Sequence, residues 1–310
     1  MKFKLFLSGL IISLAAVTVS AQTPREEYIE KYNRLVQKVG ASGLGIETLL
    51  DKWLAEYPED IDANLGRFLF EYSKSQTSKV VQKDTNKYLG QAPVLSLADS
   101  LGNKANYFEE LFFDDELFGK ALTSIDKVIR MAPDRIDLRY YKVSALVGYE
   151  KEKPELALNE LKGIIDYNVI QKPKWTHPEY EVNEDFFLAA IQDYCVLFFK
   201  YETPAAYEAF GSLVQRVLDY YPKKSMFLSD MGSYWFVYKK DYKKALKYYN
   251  QALKINPKDN VAIRSCVMLC RNTKDTKLEK KYLEMMVKYA EKELDRQSAQ
   301  VRLDFLNGKK

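Results

Sequence analysis

Apolar positions recur at intervals of three and four residues along almost the whole chain, the spacing that puts them on one face of an α-helix. Over 26–39, Tyr28, Tyr32, Leu35 and Val36 share a stripe, and Gly40-Ala41-Ser42-Gly43 ends the run. A returning helix over 46–57 carries Leu49, Leu50, Trp53 and Leu54, and Pro58 closes it. A third follows through Leu65, Phe68, Leu69 and Phe70. Proline lacks the N–H that a helix needs, so it punctuates such a pattern. The same logic predicts helices over 117–131, 136–148, 155–167, 184–201, 205–221, 225–239, 242–255, 260–271 and 276–296, with a terminal turn or helix in 299–310.

Two stretches break the rhythm. Residues 74–106 begin with a polar run rich in Ser, Thr, Lys and Gln and end near the turn Gly102-Asn103. They read as an irregular insertion with one or two short helices. The second, 169–182, carries Pro173, Trp175, His177 and Pro178 and reads as a loop. Between them, 106–118 is dense in aromatic and acidic residues.

Helix-ending prolines fall at Pro58, Pro133, Pro222 and Pro257, with gaps of 75, 89 and 35 residues. Ala121 and Ala245 each precede their proline by twelve residues, and a larger apolar residue, Ile125 or Tyr249, follows each alanine by four. Ala157 and Leu161 repeat the pair without the proline. Over 228–257 the sequence runs Leu228, Met231, Gly232, Trp235, then Ala245, Tyr249, Ala252 and Pro257, with Asp241-Tyr242 in the turn. Tyr140, Val143, Ser144, Val147, Ala157 and Leu161 form a second copy. In these residues the chain resembles the tetratricopeptide repeat, a hairpin of two helices in about 34 residues. Both copies carry one extra residue between the small residue of the first helix and the alanine of the second, which predicts a shared hairpin geometry.

The resemblance implies an all-α fold: an α-solenoid of antiparallel helix pairs, a TPR-like right-handed superhelix of about ten to thirteen helices. One repeat cannot bury its apolar face alone, so copies must stack. The domain expected is 22–310, interrupted by the insertions near 74–106 and 169–182. The resemblance also implies a concave surface that takes a protein or peptide segment. On the register of Gly232, that surface is expected to include Ser229, Ser233 and Phe236, with Tyr141, Ala145 and Tyr149 in the earlier copy. Trp175 is added from the adjoining loop, because loops on rigid scaffolds often carry function.

The first 21 residues are set aside from the fold. Lys2 and Lys4 precede a mostly apolar run, 5–19, and the small residues Val19, Ser20 and Ala21 follow. This is the three-part pattern of a secretory signal peptide. Export is therefore expected, to the periplasm in a Gram-negative source and otherwise to the medium. No integral membrane segment is expected after cleavage. Removing residues 1–21 takes away two lysines and no acid, so the formal net charge falls from +4 to +2. A nucleic-acid partner normally meets a strong basic excess, so none is expected. The three cysteines, Cys195, Cys266 and Cys270, are too few and odd in number for a disulfide framework and read as core residues.

Catalytic templates are missing. The chain has no Gly-x-Ser-x-Gly, no His-Glu-x-x-His and no phosphate-loop motif, and His177 is its single histidine. Gly40, Gly43 and Gly45 follow a helix rather than a strand, so they read as a helix stop. The acids around 109–116 suit the start of the next helix, and Phe108, Phe112, Phe113 and Phe118 read as core. Lys243, Lys244 and Lys247 flank the apolar stripe of their helix and read as its solvated face. No enzyme activity, cofactor or metal is expected. The leading expectation is a partner-binding scaffold of the cell envelope. The alternatives are a small-ligand-binding or enzymatic accessory protein, with a pocket closed by the insertions, and a structural subunit whose convex face matters more.

Overall fold

The computed structural model describes residues 23–98, 100–102 and 104–308. The signal-peptide expectation for 1–21 lies outside the described residues. The chain divides into two compact units, Met1–Asp193 and Tyr194–Lys310. Thirteen α-helices, one π-helical turn and a three-stranded sheet make up the described elements.

In the first unit, α1 (Pro24–Val39), α2 (Ile46–Glu56) and α3 (Ile61–Lys74) follow the predicted pattern closely. Thr23 opens α1 with a capping box, its hydroxyl accepting from the Glu26 N–H while the Glu26 carboxylate accepts from the Thr23 N–H. Gly40 ends α1 at φ 80° and Gly45 begins α2 at φ 87°, two left-handed positions that favour glycine. Tyr32, Ile46, Leu50 and Trp53 are fully buried between these helices, and Tyr28 stacks on Trp53 at 5.7 Å.

The stretch after α3 corrects the expectation of an irregular, partly helical insertion. It forms β1 (Gln76–Lys83), β2 (Leu95–Ala98) and β3 (Lys104–Phe113), ordered β1-β3-β2 and antiparallel. An all-α fold thus holds only for the bulk of the chain. Paired residues share a face, so Val81 and Phe108 lie on one side, and Val80, Leu95, Leu97, Tyr107 and Leu111 on the other. The first side is covered by its own loop. Tyr88 meets Phe108 edge-on at 5.9 Å, and the buried Asn106 amide donates to the Thr85 carbonyl at 2.7 Å. Phe108 is buried, but Phe112 is exposed, lying under the ammonium groups of Lys79 and Lys151. Asp114 then caps α4 (Asp115–Met131) by accepting from the Leu117 N–H, so this acid does serve a helix start.

Helices α5 (Ile136–Glu150) and α6 (Glu155–Gln171) complete a run in which each helix touches its successor, and an irregular segment follows. That segment is tied to the start of α5 by the Thr176 N–H donating to Asp134 O and the Ile136 N–H donating to Thr176 O. The dividing line between the units falls within α7 (Glu184–Lys200).

The second unit holds α8 (Pro204–Tyr220), α9 (Ser225–Ser233), a π-helical turn (Tyr234–Tyr238), α10 (Tyr242–Ile255), α11 (Asn260–Thr273), α12 (Thr276–Tyr289) and α13 (Glu293–Leu306). Thr203, Asp241, Asp259 and Asp275 each accept a first-turn N–H, a contribution of about 1 kcal/mol apiece. The helix expected over 276–296 is two helices. Ala290 turns extended, and the Arg296 guanidinium caps the end of α12 by donating to the Ala290 carbonyl at 2.6 Å. Cys195, Cys266 and Cys270 are buried free thiols.

The two repeat copies do not share one hairpin geometry. In 225–257 the helix widens into the π turn, which takes up one extra residue. In 136–168 the helix stays α-helical, and the extra length sits in the turn at Lys151–Pro154, where Lys151 has φ 53°. Packing in the first of these copies depends on its glycine. A Cβ on Gly232 would lie 2.5 Å from the Tyr249 ring. Gly232→Ala is therefore expected to destabilise by about 1–3 kcal/mol, overpacking outweighing the helix-propensity gain. Gly119→Ala, where a Cβ meets nothing within 4 Å, is expected to stabilise by about 0.5–1 kcal/mol. Paired urea melts measure both.

Candidate functional site

In the first unit, the residues expected to face a partner separate into interior and accessible side chains. Tyr141 and Ala145 are buried. Helix α5 is enclosed on nearly every side, with 136–138, 141 and 143–147 all buried, so the stripe expected to be open belongs to the core. The Tyr141 ring sits 6.5 Å from Phe68. Tyr149 is half-buried, stacks on Phe118 at 4.1 Å, and donates its hydroxyl to Asp115 Oδ1 at 2.9 Å. Trp175 is half-buried, and its indole N–H donates to Asn168 Oδ1 at 2.8 Å. The Arg139 guanidinium lies 4.6 Å from the Tyr167 ring and 5.4 Å from Trp175, a cation flanked by two aromatic faces. His177 Nδ1 accepts from the Glu179 N–H at 3.0 Å, and burial lowers the imidazole pKa below its ordinary value. Both features favour a neutral ring held in its loop.

The two insertions meet opposite ends of α5. Thr176 pairs beside Arg135, while Glu110 of β3 receives Lys151, just past the helix, at 2.7 Å. Fifteen residues of helix separate them, about 22 Å at 1.5 Å per residue. A single pocket closed by both would have to span that length.

In the second unit, Ser229 is buried, its hydroxyl donating to Asp259 Oδ2 at 2.8 Å while Asp259 Oδ1 caps α11. Ser233 is half-buried and bonds to the Ser229 carbonyl and the Tyr249 hydroxyl, each at 3.1 Å. Phe236 is buried edge-on against Tyr242 at 5.8 Å. It lies inside the π turn, which breaks the i, i+4, i+7 phase that placed it with Ser229 and Ser233. The turn closes through the Lys239 N–H to Tyr234 O at 3.1 Å. It gathers a cluster that helical spacing did not show. The Tyr234 hydroxyl donates to Glu208 Oε2 at 2.7 Å, Lys239 reaches Glu208 Oε1 at 2.5 Å, and Tyr207 stacks on Tyr238 at 5.2 Å. The Lys239 and Tyr234 bonds hold the Glu208 carboxyl below the usual carboxylate range. Lys244 sits 4.0 Å over the Trp235 ring.

An open groove of about 480 Å³ runs across the C-terminal part of α8, α9 and α10. Leu218, Leu228, Tyr248 and Ile255 line it, together with Lys223 and Lys254. Ile255 is 47% exposed. Both lysines are exposed, and neither has an ion-pair partner among the described residues. Sequence periodicity could not assemble this groove, because its residues come from three helices and Leu228 reads simply as repeat core. The one legible signal was an apolar Ile255 standing directly before Asn256-Pro257, where the core stripe has already ended.

The tyrosines of this unit carry a measurable signature. Burial pushes the hydroxyls of Tyr201, Tyr234 and Tyr249 up to about 12, with the Glu208 bond adding to the shift at Tyr234. Each folded pKa is raised above its unfolded value, so the stability involved is present below pH 10 and lost as pH rises through the folded pKa. An ultraviolet tyrosinate titration is expected to show a late-ionising class near pH 12 in the folded protein, merging into a single transition near pH 10 after denaturation.

No family model matches this chain, and no curated protein matches it.

Proposed function

We propose that the chain is an exported, TPR-like helical repeat protein that holds a protein or peptide segment, with the α8–α9–α10 groove as the holding surface. The observation that carries this reading is the groove itself: an open apolar channel of about 480 Å³ with two lysines along it that have no ion-pair partner among the described residues. Such a lining suits a segment with one aliphatic or aromatic anchor and acidic neighbours. The apolar part would supply affinity, and the lysines would supply orientation and on-rate.

The repeat reading is supported by the run of helices in each unit that touch their sequence neighbours. It is supported also by the full burial of the small motif positions Ala121, Ala157, Ala245 and Ala252. A TPR-like solenoid stack in each unit is the architecture these contacts favour. Tyr149, Trp175 and Ser233 remain accessible enough to touch a partner from the originally expected surface, whereas Tyr141, Ala145, Ser229 and Phe236 act through the packing beneath it. Among the described residues no helix is long and apolar enough to cross a membrane.

Panning a random peptide library on the full chain tests the groove. The expected selection is an apolar residue flanked by Asp or Glu. Ile255→Asp and Lys254→Glu are exposed changes, so each is expected to weaken capture about tenfold or more, equivalent to about 1.4 kcal/mol, with an unchanged melting temperature. Selected peptides that bind both variants undiminished would remove the groove from the proposal. Export is tested separately: expression in a Gram-negative host is expected to yield periplasmic protein beginning at Gln22. A product that retains Met1 and stays in the cytoplasm would contradict it.

A further inference from the structure

A second cleft, of about 490 Å³, opens among α11, α12 and α13, lined by Arg271, Lys274, Thr276, Glu279 and Arg302. At its base Glu279 is a carboxylate only 3% exposed. Its Oε1 accepts from Arg271 Nε at 2.8 Å and Arg302 Nε at 2.9 Å, and its Oε2 accepts from Arg302 Nη2 at 3.2 Å. These bonds keep the Glu279 carboxyl below the usual carboxylate range, despite its burial. One buried acid therefore fixes two guanidinium groups that come from different helices. A planar guanidinium carries five N–H donors, so donors remain on both: the two terminal amino groups of Arg271 and Nη1 of Arg302. Lys274 stands between α11 and α12 in a left-handed conformation, φ 58°, with its ammonium unpaired among the described residues. The neighbouring Asp275 carboxylate accepts from the Leu278 N–H and so serves the start of α12.

We propose that this cleft binds a small, multiply charged tetrahedral oxyanion of the phosphate type. Three cations face the cleft against one carboxylate, leaving an excess of two positive charges, which a dianion neutralises. The remaining donors come from three separate chain positions, Arg271, Lys274 and Arg302, all lining one cleft. A tetrahedral anion offers oxygens to that many donors, whereas a carboxylate offers two in a plane. Glu279 acts as a positioning residue. It holds both arginines in place before the ligand arrives, which lowers the ordering cost of binding. The site is independent of the peptide groove, since it shares no residue with it.

Isothermal titration of the full chain tests the assignment, using inorganic phosphate, pyrophosphate, phenyl phosphate and acetate at one constant ionic strength. Pyrophosphate and phenyl phosphate are expected to bind saturably and acetate not to bind. Stronger binding of pyrophosphate would mark a free polyphosphate as the ligand, and stronger binding of phenyl phosphate a phosphate ester. Lys274→Asn removes a charge at a position where Asn tolerates the backbone, and it breaks no bond to Glu279. It is expected to weaken binding about tenfold without moving the melting temperature. Arg271→Lys keeps the charge but loses the fork, and a comparable loss is expected. The proposal is overturned by an absence of saturable binding, by acetate binding as tightly as the phosphates, or by Lys274→Asn binding unchanged.

Discussion

The packing of both units depends on aromatic or aliphatic side chains lying where a neighbouring helix has no side chain. A Cβ on Gly211 would stand 2.5 Å from the Tyr234 ring, and one on Gly232 the same distance from Tyr249. In the first unit a Cβ on Gly66 would meet Leu50 at 2.9 Å and Tyr32 at 3.2 Å, and one on Gly148 would meet the Tyr72 hydroxyl at 2.9 Å. Each arrangement lets two backbones approach closely and buries a large side chain in the space so made. Burying such a side chain contributes about 1.5–3 kcal/mol. The glycine gives up some helix propensity, a smaller quantity, so the exchange favours packing. Interiors this dense leave little slack, and a single added methyl must displace a ring.

Most of the helical framework was legible because it is written in local signals. Apolar spacing, capping residues and prolines act within a few positions, and side-chain caps open α1, α3, α4, α8, α10, α11 and α12. The sheet was not legible. Its longest pairing joins 76–83 to 106–113 across more than twenty intervening residues, and no local pattern encodes that partnership. β1 reads Gln-Thr-Ser-Lys-Val-Val-Gln-Lys, with burial almost nowhere along it, so the alternation that marks a half-buried strand is lost among polar residues. The break at Ala290 was hidden for a different reason. Its cap is supplied by Arg296, whose function as a lid on a helix end depends on geometry, not on residue type.

The candidate surface shows the same division. Helical spacing puts Ser229, Ser233 and Phe236 on one face. It assigned them an outward direction that an uninterrupted α-helix would give. The π turn at 234–238 changes the phase, and the buried Ser229–Asp259 hydrogen bond draws that face inward. The extra residue between Gly232 and Ala245 was visible in the sequence and is the trace of this widening. In the earlier copy an equal count is absorbed by a turn, so the count alone could not tell the two solutions apart. What is left at the surface is a groove made where three helices leave a gap, with lysines along it and an isoleucine past the end of the core stripe. Close-packed helices hold such a gap open in advance, so occupying it needs no prior ordering of the helices around it.

A double-mutant cycle between Gly211 and Tyr234 tests the packing principle most directly. If the ring occupies the space that the glycine leaves, Gly211→Ala costs about 1–3 kcal/mol alone, and that cost disappears once Tyr234→Ala has emptied the site. An equal cost of Gly211→Ala in both backgrounds would show the two residues to be uncoupled and would contradict the account.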